Sequence, residues 1–279
     1  MTIEVQEWSL PGQGGIELFA QTWLPEAGAR DVVVIAHGYA EHGGRYGNVV
    51  DRLVPAGYAV HAIDHRGHGR SGGRRALIDR MERVWEDLDG FIDQVRARHG
   101  GQRVKLLGHS MGGSIAFGYA LRHPDKLSGV ILSAPAMGGI VPPMQRAILA
   151  LLSRVAPNLG TVELPPETIS RDPVVVAAYV ADPLVTKGKV AARTIAEMVA
   201  AARSYPGRAA SLRLPILIQH GGGDIPVPPA DNKPLYELIG SPDKTITIYD
   251  GLYHEIYNEP EHDAVLDELL AWLEAHPPV

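Results

Sequence analysis

Leu106-Leu107-Gly108-His109-Ser110-Met111-Gly112-Gly113 is the stretch on which the reading of this chain turns. It carries the pattern G-x-S-x-G, formed by Gly108, Ser110 and Gly112. Upstream, Arg103-Val104-Lys105-Leu106-Leu107 is a short β-prone run with no turn residue inside it. Downstream, Ser114–Arg122 is rich in alanine, leucine and aromatics and predicts a helix. Strand, tight turn and helix are the context in which such a serine sits in strained dihedrals with its oxygen exposed at the sheet's edge. The residues flanking that turn crowd each other and must be small, and both are glycine. The helix start also offers unpaired N–H groups and a positive dipole end. An incidental serine in a glycine-rich turn gives the same five letters, so the rest of the chain decides.

The chain has 279 residues, 45% of them hydrophobic, which is enough to bury a core and excludes a disordered polymer. Its net charge is -6 and it shows no basic stripe, which argues against a nucleic-acid partner. Cysteine is absent, so no disulfide, thiolate metal site or thiol nucleophile is available. Met1–Glu7 has neither the basic region nor the apolar core of a secretory leader. No stretch approaches the roughly 18 uninterrupted apolar residues of a spanning helix. These features predict a cytoplasmic protein.

Ile3–Ser9 and Ile16–Leu24 alternate around Pro11-Gly12-Gln13-Gly14-Gly15 and predict an antiparallel pair. Asp31–Ala36 is a continuous β-branched run and Tyr58–Ile63 follows it as a second strand, both expected to be buried on both faces. Tyr46–Ala56 predicts a helix, and Val84, Leu88, Phe91, Ile92 and Val95 mark another by their spacing. Val130–Ser133, Leu214–His220 and Thr245–Tyr249 are further strands; Asp231–Ile239 and Ala264–Ala275 are further helices. This alternation predicts an α/β fold: a mostly parallel central sheet with helices on both faces and a ligand crevice at the strands' carboxyl ends. Between Ala134 and about Leu212 no strand is evident. Prolines divide that stretch into helices over Met144–Val155, Val190–Tyr205 and a shorter one over Pro173–Val180. The expected organisation is a core of residues 1–134 and 213–279 with a helical cap inserted at 135–212.

Several separated motifs carry a resemblance. His37-Gly38-Tyr39-Ala40-Glu41-His42-Gly43-Gly44-Arg45-Tyr46 resembles H-G-x-G-E-H-x-x-R-Y of the α/β-hydrolases, and within them of the monoacylglycerol lipases, bacterial and animal. Asp64-His65-Arg66-Gly67-His68-Gly69-Arg70-Ser71 and the serine motif match as well. Ser170-Arg171-Asp172-Pro173, Asp182-Pro183-Leu184 and Gly251-Leu252-Tyr253-His254-Glu255 are similar to the bacterial members. The resemblance spans nearly the whole chain and implies a serine carboxylester hydrolase that cleaves monoacylglycerols through an acyl-enzyme, with no cofactor. A broader carboxylesterase or lysophospholipase, and a noncatalytic receptor of the same fold, are the alternatives. Epoxide hydrolases differ in placing an aspartate where Ser110 stands.

Acyl transfer by serine needs a base and a carboxylate that orients it. In this fold they follow in the order serine, acid, histidine. Ser110, Asp224 and His254 have that order, each after an expected strand. Asp250, Asp231 and Asp243 compete for the acid, and the resemblance favours Asp224. His254 is chosen among 12 histidines, and His220 is expected to be structural at its strand end. Two backbone N–H groups must meet the developing oxyanion. One is that of Met111; the resemblance implies Tyr39 for the other. Ala40 stands where the relatives carry glycine, and Ile225-Pro226 where they carry arginine and an aliphatic residue. In the cap, Ile140, Met144, Ile148, Leu151, Leu152, Val155 and Leu159 are expected to line an apolar channel. Glu41, Arg45 or Glu163 is expected at the polar head group. The partner expected is a small lipid ester, with transient membrane or lipid-aggregate contact through the cap. His61, His65 and His68 have metal-like spacing without a completing carboxylate set beyond Asp64, so no metal is expected. Gly67-His68-Gly69 and Gly221-Gly222-Gly223 lack the lysine and spacing of phosphate loops.

Overall fold

The computed structural model describes residues 3–139 and 141–278, so Ile140 lies outside the described residues. The chain runs β1 (Val5–Pro11), β2 (Glu17–Trp23), β3 (Asp31–Ala36), α1 (Gly47–Leu53), β4 (Tyr58–Ile63), α2 (Met81–Arg98), β5 (Val104–His109), α3 (Met111–Ala120) and β6 (Leu127–Ser133). It continues through α4 (Pro143–Val155), β7 (Gly160–Val162), α5 (Pro173–Ala181), β8 (Val190–Ala191), α6 (Ala192–Ser204) and α7 (Pro206–Ala209). It closes with β9 (Ile216–Gly221), α8 (Pro229–Leu238), β10 (Lys244–Tyr249) and α9 (His262–Ala275).

Eight strands form one sheet in the order β1-β2-β4-β3-β5-β6-β9-β10. Only β2 runs against its neighbours, so the sheet is mostly parallel as expected. The continuous apolar runs are strands covered on both faces. In β3, Val32, Val34 and Ala36 enter one core while Val33 and Ile35 enter the other. The first core is closed by α2 and α3, the second by α1 and α9.

Strand order reverses between β3 and β5, since β4 returns to one side of β3 and β5 takes the other. The crevice of such a sheet opens at that reversal, outside the strands' carboxyl ends. The turn after β5 carries Ser110, and the loop after β3 carries His37, Gly38 and Tyr39. The two are packed without clearance. A Cβ on Gly112 would lie 2.0 Å from the Ala36 carbonyl oxygen and 2.4 Å from that of His37. A Cβ on Gly108 would lie 2.3 Å from the Gly112 carbonyl oxygen.

The stretch expected to lack strands holds two. β7 and β8 pair antiparallel, Gly160 with Ala191 and Val162 with Val190. A ladder this short leaves no alternation for a sequence to display. α4 packs on α6, and α6 in turn touches α2 and α3 of the core. The apolar period of α4 is as expected, but its direction is not. Met144, Ile148, Leu151 and Val155 form one stripe, exposed at 74%, 52%, 61% and 69%.

The glycine contacts give a pair of expected outcomes. Gly112→Ala should prevent folding or cost several kcal/mol, because the clash is with backbone of a central strand. Gly90→Ala, on the exposed side of α2 with nothing near the added carbon, should stabilise by about 0.5–1 kcal/mol. Thermal denaturation of both variants decides; equal melting of Gly112→Ala and wild type would contradict the packing.

Candidate active site

Ser110 has φ 54° and ψ -117°, a left-handed conformation for a residue with a side chain. Such strain costs about 1–3 kcal/mol and persists only where surroundings enforce it. Here Ser110 N–H donates to the Ser133 carbonyl (2.9 Å), and Ala136 N–H donates to the Ser110 carbonyl (2.9 Å). The turn aims Oγ at His254, whose Nε2 is 2.8 Å away. His254 Nδ1 lies 2.6 Å from Asp224 Oδ2. Its N–H therefore faces the carboxylate, which leaves the Nε2 lone pair for the serine proton. Asp224 Oδ1 accepts from Val227 N–H at 2.8 Å. Burial opposes the charge on Asp224, but hydrogen bonds from His220, His254 and Val227 and the charge of His254 outweigh it and bring its pKa to about 2. The rival carboxylates sit elsewhere: Asp250 is exposed, Asp231 opens α8, and Asp243 accepts from His276.

Gly38 N–H donates to Glu41 Oε1 at 2.7 Å, so the next amide of that loop belongs to Tyr39. A Cβ on Gly38 would meet Ser110 Cβ at 3.4 Å, which places the loop backbone directly beside the serine. Met111 is the first residue of α3, so its N–H has no acceptor within the helix. Ala40 has φ 67° and is buried. The loop thus keeps the shape that glycine would take, at a cost of about 1–2 kcal/mol. Thr186 N–H, donating to the Ala40 carbonyl at 2.8 Å, helps to hold it.

Arg45 is not free to meet a head group. Its Nη1 donates to Glu41 Oε2 (2.9 Å) and Glu255 Oε1 (2.6 Å), and its Nη2 donates to Glu255 Oε2 (2.8 Å). Tyr46 hydroxyl donates to the remaining oxygen of Glu41 at 2.9 Å. The guanidinium also lies 4.7 Å over the ring of Tyr179 in α5. Desolvation works against its charge, but Glu255 and Glu41 outweigh it and raise its pKa. Arg45 thus fastens the loop after β3 to the loop of His254.

A cavity of about 210 Å³ ends on Ser110 and His254. Its apolar wall comes from Val162, Leu164, Ile169, Val190, Ile195 and Met198, with Val227 from the core. Glu41, Glu255, Tyr39 and Tyr179 also line it. Burial raises the Tyr39 pKa to about 12, so its phenol stays neutral. Ile148, Leu152 and Glu163 are not in this wall, nor are Met144, Leu151, Val155 and Leu159. The exposed stripe of α4 points the other way, and Glu163 is exposed between two residues that do line the cavity. On α6, Ile195 and Met198 are one turn apart, and that spacing is the sequence signal that would have found them.

Sequence reading also missed the shell behind the site. His109 is buried with its ring 4.7 Å from that of His254, and its Nδ1 is 3.1 Å from Ser133 Oγ. Burial, then the charge of His254, lowers its pKa to about 3. His37 Nδ1–H donates to the Gly38 carbonyl (2.7 Å), and its Nε2 accepts from His65 N–H (2.8 Å). That joins the two motif loops. His61 lies apart from this group, against Thr22 and His99. Among the described residues no set of three or more His, Cys, Asp or Glu side chains converges on a metal-sized point.

A serine bonded to a histidine bonded to an aspartate, at the reversal point of an eight-stranded mostly parallel sheet, defines a serine hydrolase of the α/β-hydrolase fold. A model of the family described as serine aminopeptidase, S33, matches residues 27–261, and the chain belongs to that family. It is 41% identical over 272 residues to a monoacylglycerol lipase of Mycolicibacterium smegmatis, covering 97% of each chain. It is 30% identical to the human monoglyceride lipase, over 93% of this chain and 87% of that one. The crystal structure of the Paleococcus ferrophilus monoacylglycerol lipase superposes with a TM-score of 0.80 at 31% identity, covering 99% of this chain and 100% of that one.

The buried imidazoles make stability depend on pH. Burial, then neighbouring histidine or arginine charge, lowers His65 to about 3 and, despite the bond His68 donates to the Arg66 carbonyl, lowers His68 to about 4; His37 is lowered as well. In the unfolded chain they titrate near about 6.5. Between those values the unfolded chain binds protons that the folded one refuses. Stability is therefore complete above about pH 6.5 and is lost as pH falls toward about 4, by up to about 1.4 kcal/mol per pH unit for each histidine. Melting temperature measured from pH 7 to pH 4 should fall, and His68→Gln should flatten the curve. A flat wild-type curve would contradict neutral burial.

Proposed function

We propose that this enzyme hydrolyses monoacylglycerols to glycerol and a fatty acid, with Ser110 as nucleophile, His254 as base and Asp224 as its orienting acid. The observation that supports it most is the cavity, apolar along one wall, that ends on the Ser110–His254 hydrogen bond. Similarity over the whole chain to a protein named monoacylglycerol lipase supports the choice of ester.

Ser110 Oγ attacks the ester carbonyl carbon as its proton passes to His254 Nε2. The carbonyl oxygen takes negative charge and is met by the amides of Tyr39 and Met111. Asp224 holds the imidazolium in place. Collapse breaks the ester C–O bond, His254 returns its proton to the departing alkoxide, and glycerol leaves. Water then gives a proton to His254 and its oxygen to the acyl carbon, which releases the fatty acid and Ser110. The acyl chain lies along Val162, Leu164, Ile195 and Met198, and the phenols of Tyr39 and Tyr179 face the glycerol. Residues 135–212 act as a cap over the crevice, since they supply most of that wall.

Ser110→Ala and His254→Ala should each lower kcat by roughly 10⁴- to 10⁶-fold, and Asp224→Asn by up to about 10⁴-fold. Ile195→Glu should reduce hydrolysis of long-chain monoacylglycerols more than of acetate esters, because each buried methylene contributes about 0.8 kcal/mol. Triolein cleaved as fast as monoolein would sink the substrate assignment, and equal preference for small aryl esters would favour a broad carboxylesterase.

The exposed stripe Met144, Ile148, Leu151 and Val155 also supports contact with a lipid surface, through the outer face of α4. Among the described residues no helix is long and apolar enough to cross a membrane, so the contact is peripheral. Ile148→Glu with Leu151→Glu should abolish co-sedimentation with phosphatidylcholine vesicles and leave turnover of a water-soluble acetate ester unchanged. Retained sedimentation would refute the contact.

A further inference from the structure

His220 is the fifth residue of β9, four before Asp224, and it is fully buried. Its Nε2 is 2.7 Å from the Val227 carbonyl oxygen and 3.1 Å from Asp224 Oδ2. Neither oxygen carries a hydrogen, since Asp224 is ionised. A bare nitrogen there would turn its lone pair on two acceptors, so Nε2 bears the proton and shares it between them. Nδ1 is then an acceptor, and it lies 3.0 Å from the Tyr236 hydroxyl, which donates to it. Tyr236 is buried on α8, and burial followed by the charge of Asp224 raises its pKa, which keeps the hydroxyl protonated.

We propose that His220, backed by Tyr236, is a positioning residue for the acid: its Nε2–H holds Asp224 in the rotamer that receives His254. The proposal rests on Ser110, His254 and Asp224 being the catalytic groups. Hydrogen bonds then run without a break from Tyr236 through His220, Asp224 and His254 to Ser110. Oδ2 takes one bond from each imidazole and Oδ1 takes that of Val227 N–H, so the carboxylate cannot turn about its Cβ–Cγ bond without losing a donor. His220 and His254 thus share the same carboxylate oxygen. The groups hydrogen-bonded to His220 are Asp224, Tyr236 and Val227; those against His254 are Asp224, Ser110 and the His109 ring.

The test uses His220→Leu, His220→Gln and Tyr236→Phe in the full chain, with a soluble short-chain ester as substrate. His220→Leu should lower kcat roughly 10- to 100-fold, the range for losing a hydrogen bond to a charged group. KM should be unchanged. The acid limb of the kcat/KM profile should move to higher pH, because Asp224 then gives its whole charge to protonated His254. The downfield proton signal of His254 Nδ1–H should shift with it. His220→Gln, whose amide N–H reaches the same oxygen, should recover most of the rate, and Tyr236→Phe should fall between. A folded His220→Leu or Tyr236→Phe with the wild-type rate and acid limb overturns the proposal. So does a slower His220→Leu whose acid limb stays in place, since that is loss of packing alone. If His220→Leu does not fold, His220→Gln and Tyr236→Phe still decide by the same two readouts. Activity retained in Ser110→Ala would instead refute the catalytic assignment beneath it, whatever His220 does.

Discussion

The backbone of α3 touches the backbone of β3 at Gly112, with no room for a side chain between them. Much of the site follows from that contact. It draws the first turn of α3 against the end of β3, so the amide of Met111 and the loop holding Tyr39 flank the same point. It also forces the chain to leave β5 through the strained turn at Ser110. The positive dipole end of α3 then lies beside Ser110. A bulkier contact would separate Ser110 from the loop after β3.

A second set of constraints is electrostatic. The loops after β3 and β10 come from distant parts of the chain, and flexible loops would not hold hydrogen-bond distances alone. Arg45 sits between Glu41 of one and Glu255 of the other, both buried, with its own side chain 10% exposed and a ring of α5 across its face. One cation between two buried carboxylates leaves a net negative charge, which the bonds from Gly38 N–H and Tyr46 hydroxyl to Glu41 and from Asn258 to Glu255 help to spread. Removing Arg45 would leave both buried carboxylates uncompensated and unfasten the two loops. The neutral histidines around Gly38 and His254 fill the remaining space without adding charge.

The helix α4 shows how the same pattern can serve two ends. An apolar stripe at helical spacing is ordinarily the core face, and the strongly amphipathic period of α4 invites that reading. In the fold the space beneath is occupied by α6 and the short β7–β8 pair, which supply the cavity wall themselves. The stripe is left pointing outward.

Much of this protein was legible in its sequence. Two-sided burial leaves its mark on the central strands, so β3 and β4 were readable to the residue from their β-branched and apolar runs. The tight turn at Ser110 was readable because a close backbone contact permits only glycine at Gly108 and Gly112. Chain order and strand ends then pointed to Ser110 and His254, and the family resemblance chose Asp224 among the competing aspartates. Ala40 could be singled out as a residue in a glycine's place, but its left-handed φ came only with the fold. What tertiary structure alone decided were the relations between residues far apart in the chain that no local period encodes. Arg45 could be named, but its partner Glu255 lies 210 positions away. His220 could be placed at a strand end, but its bond to Asp224 depends on how the following loop turns back. The direction of α4 depends on which neighbour fills the space first. Local pattern specifies which face of an element is apolar; only the packed molecule specifies what that face meets.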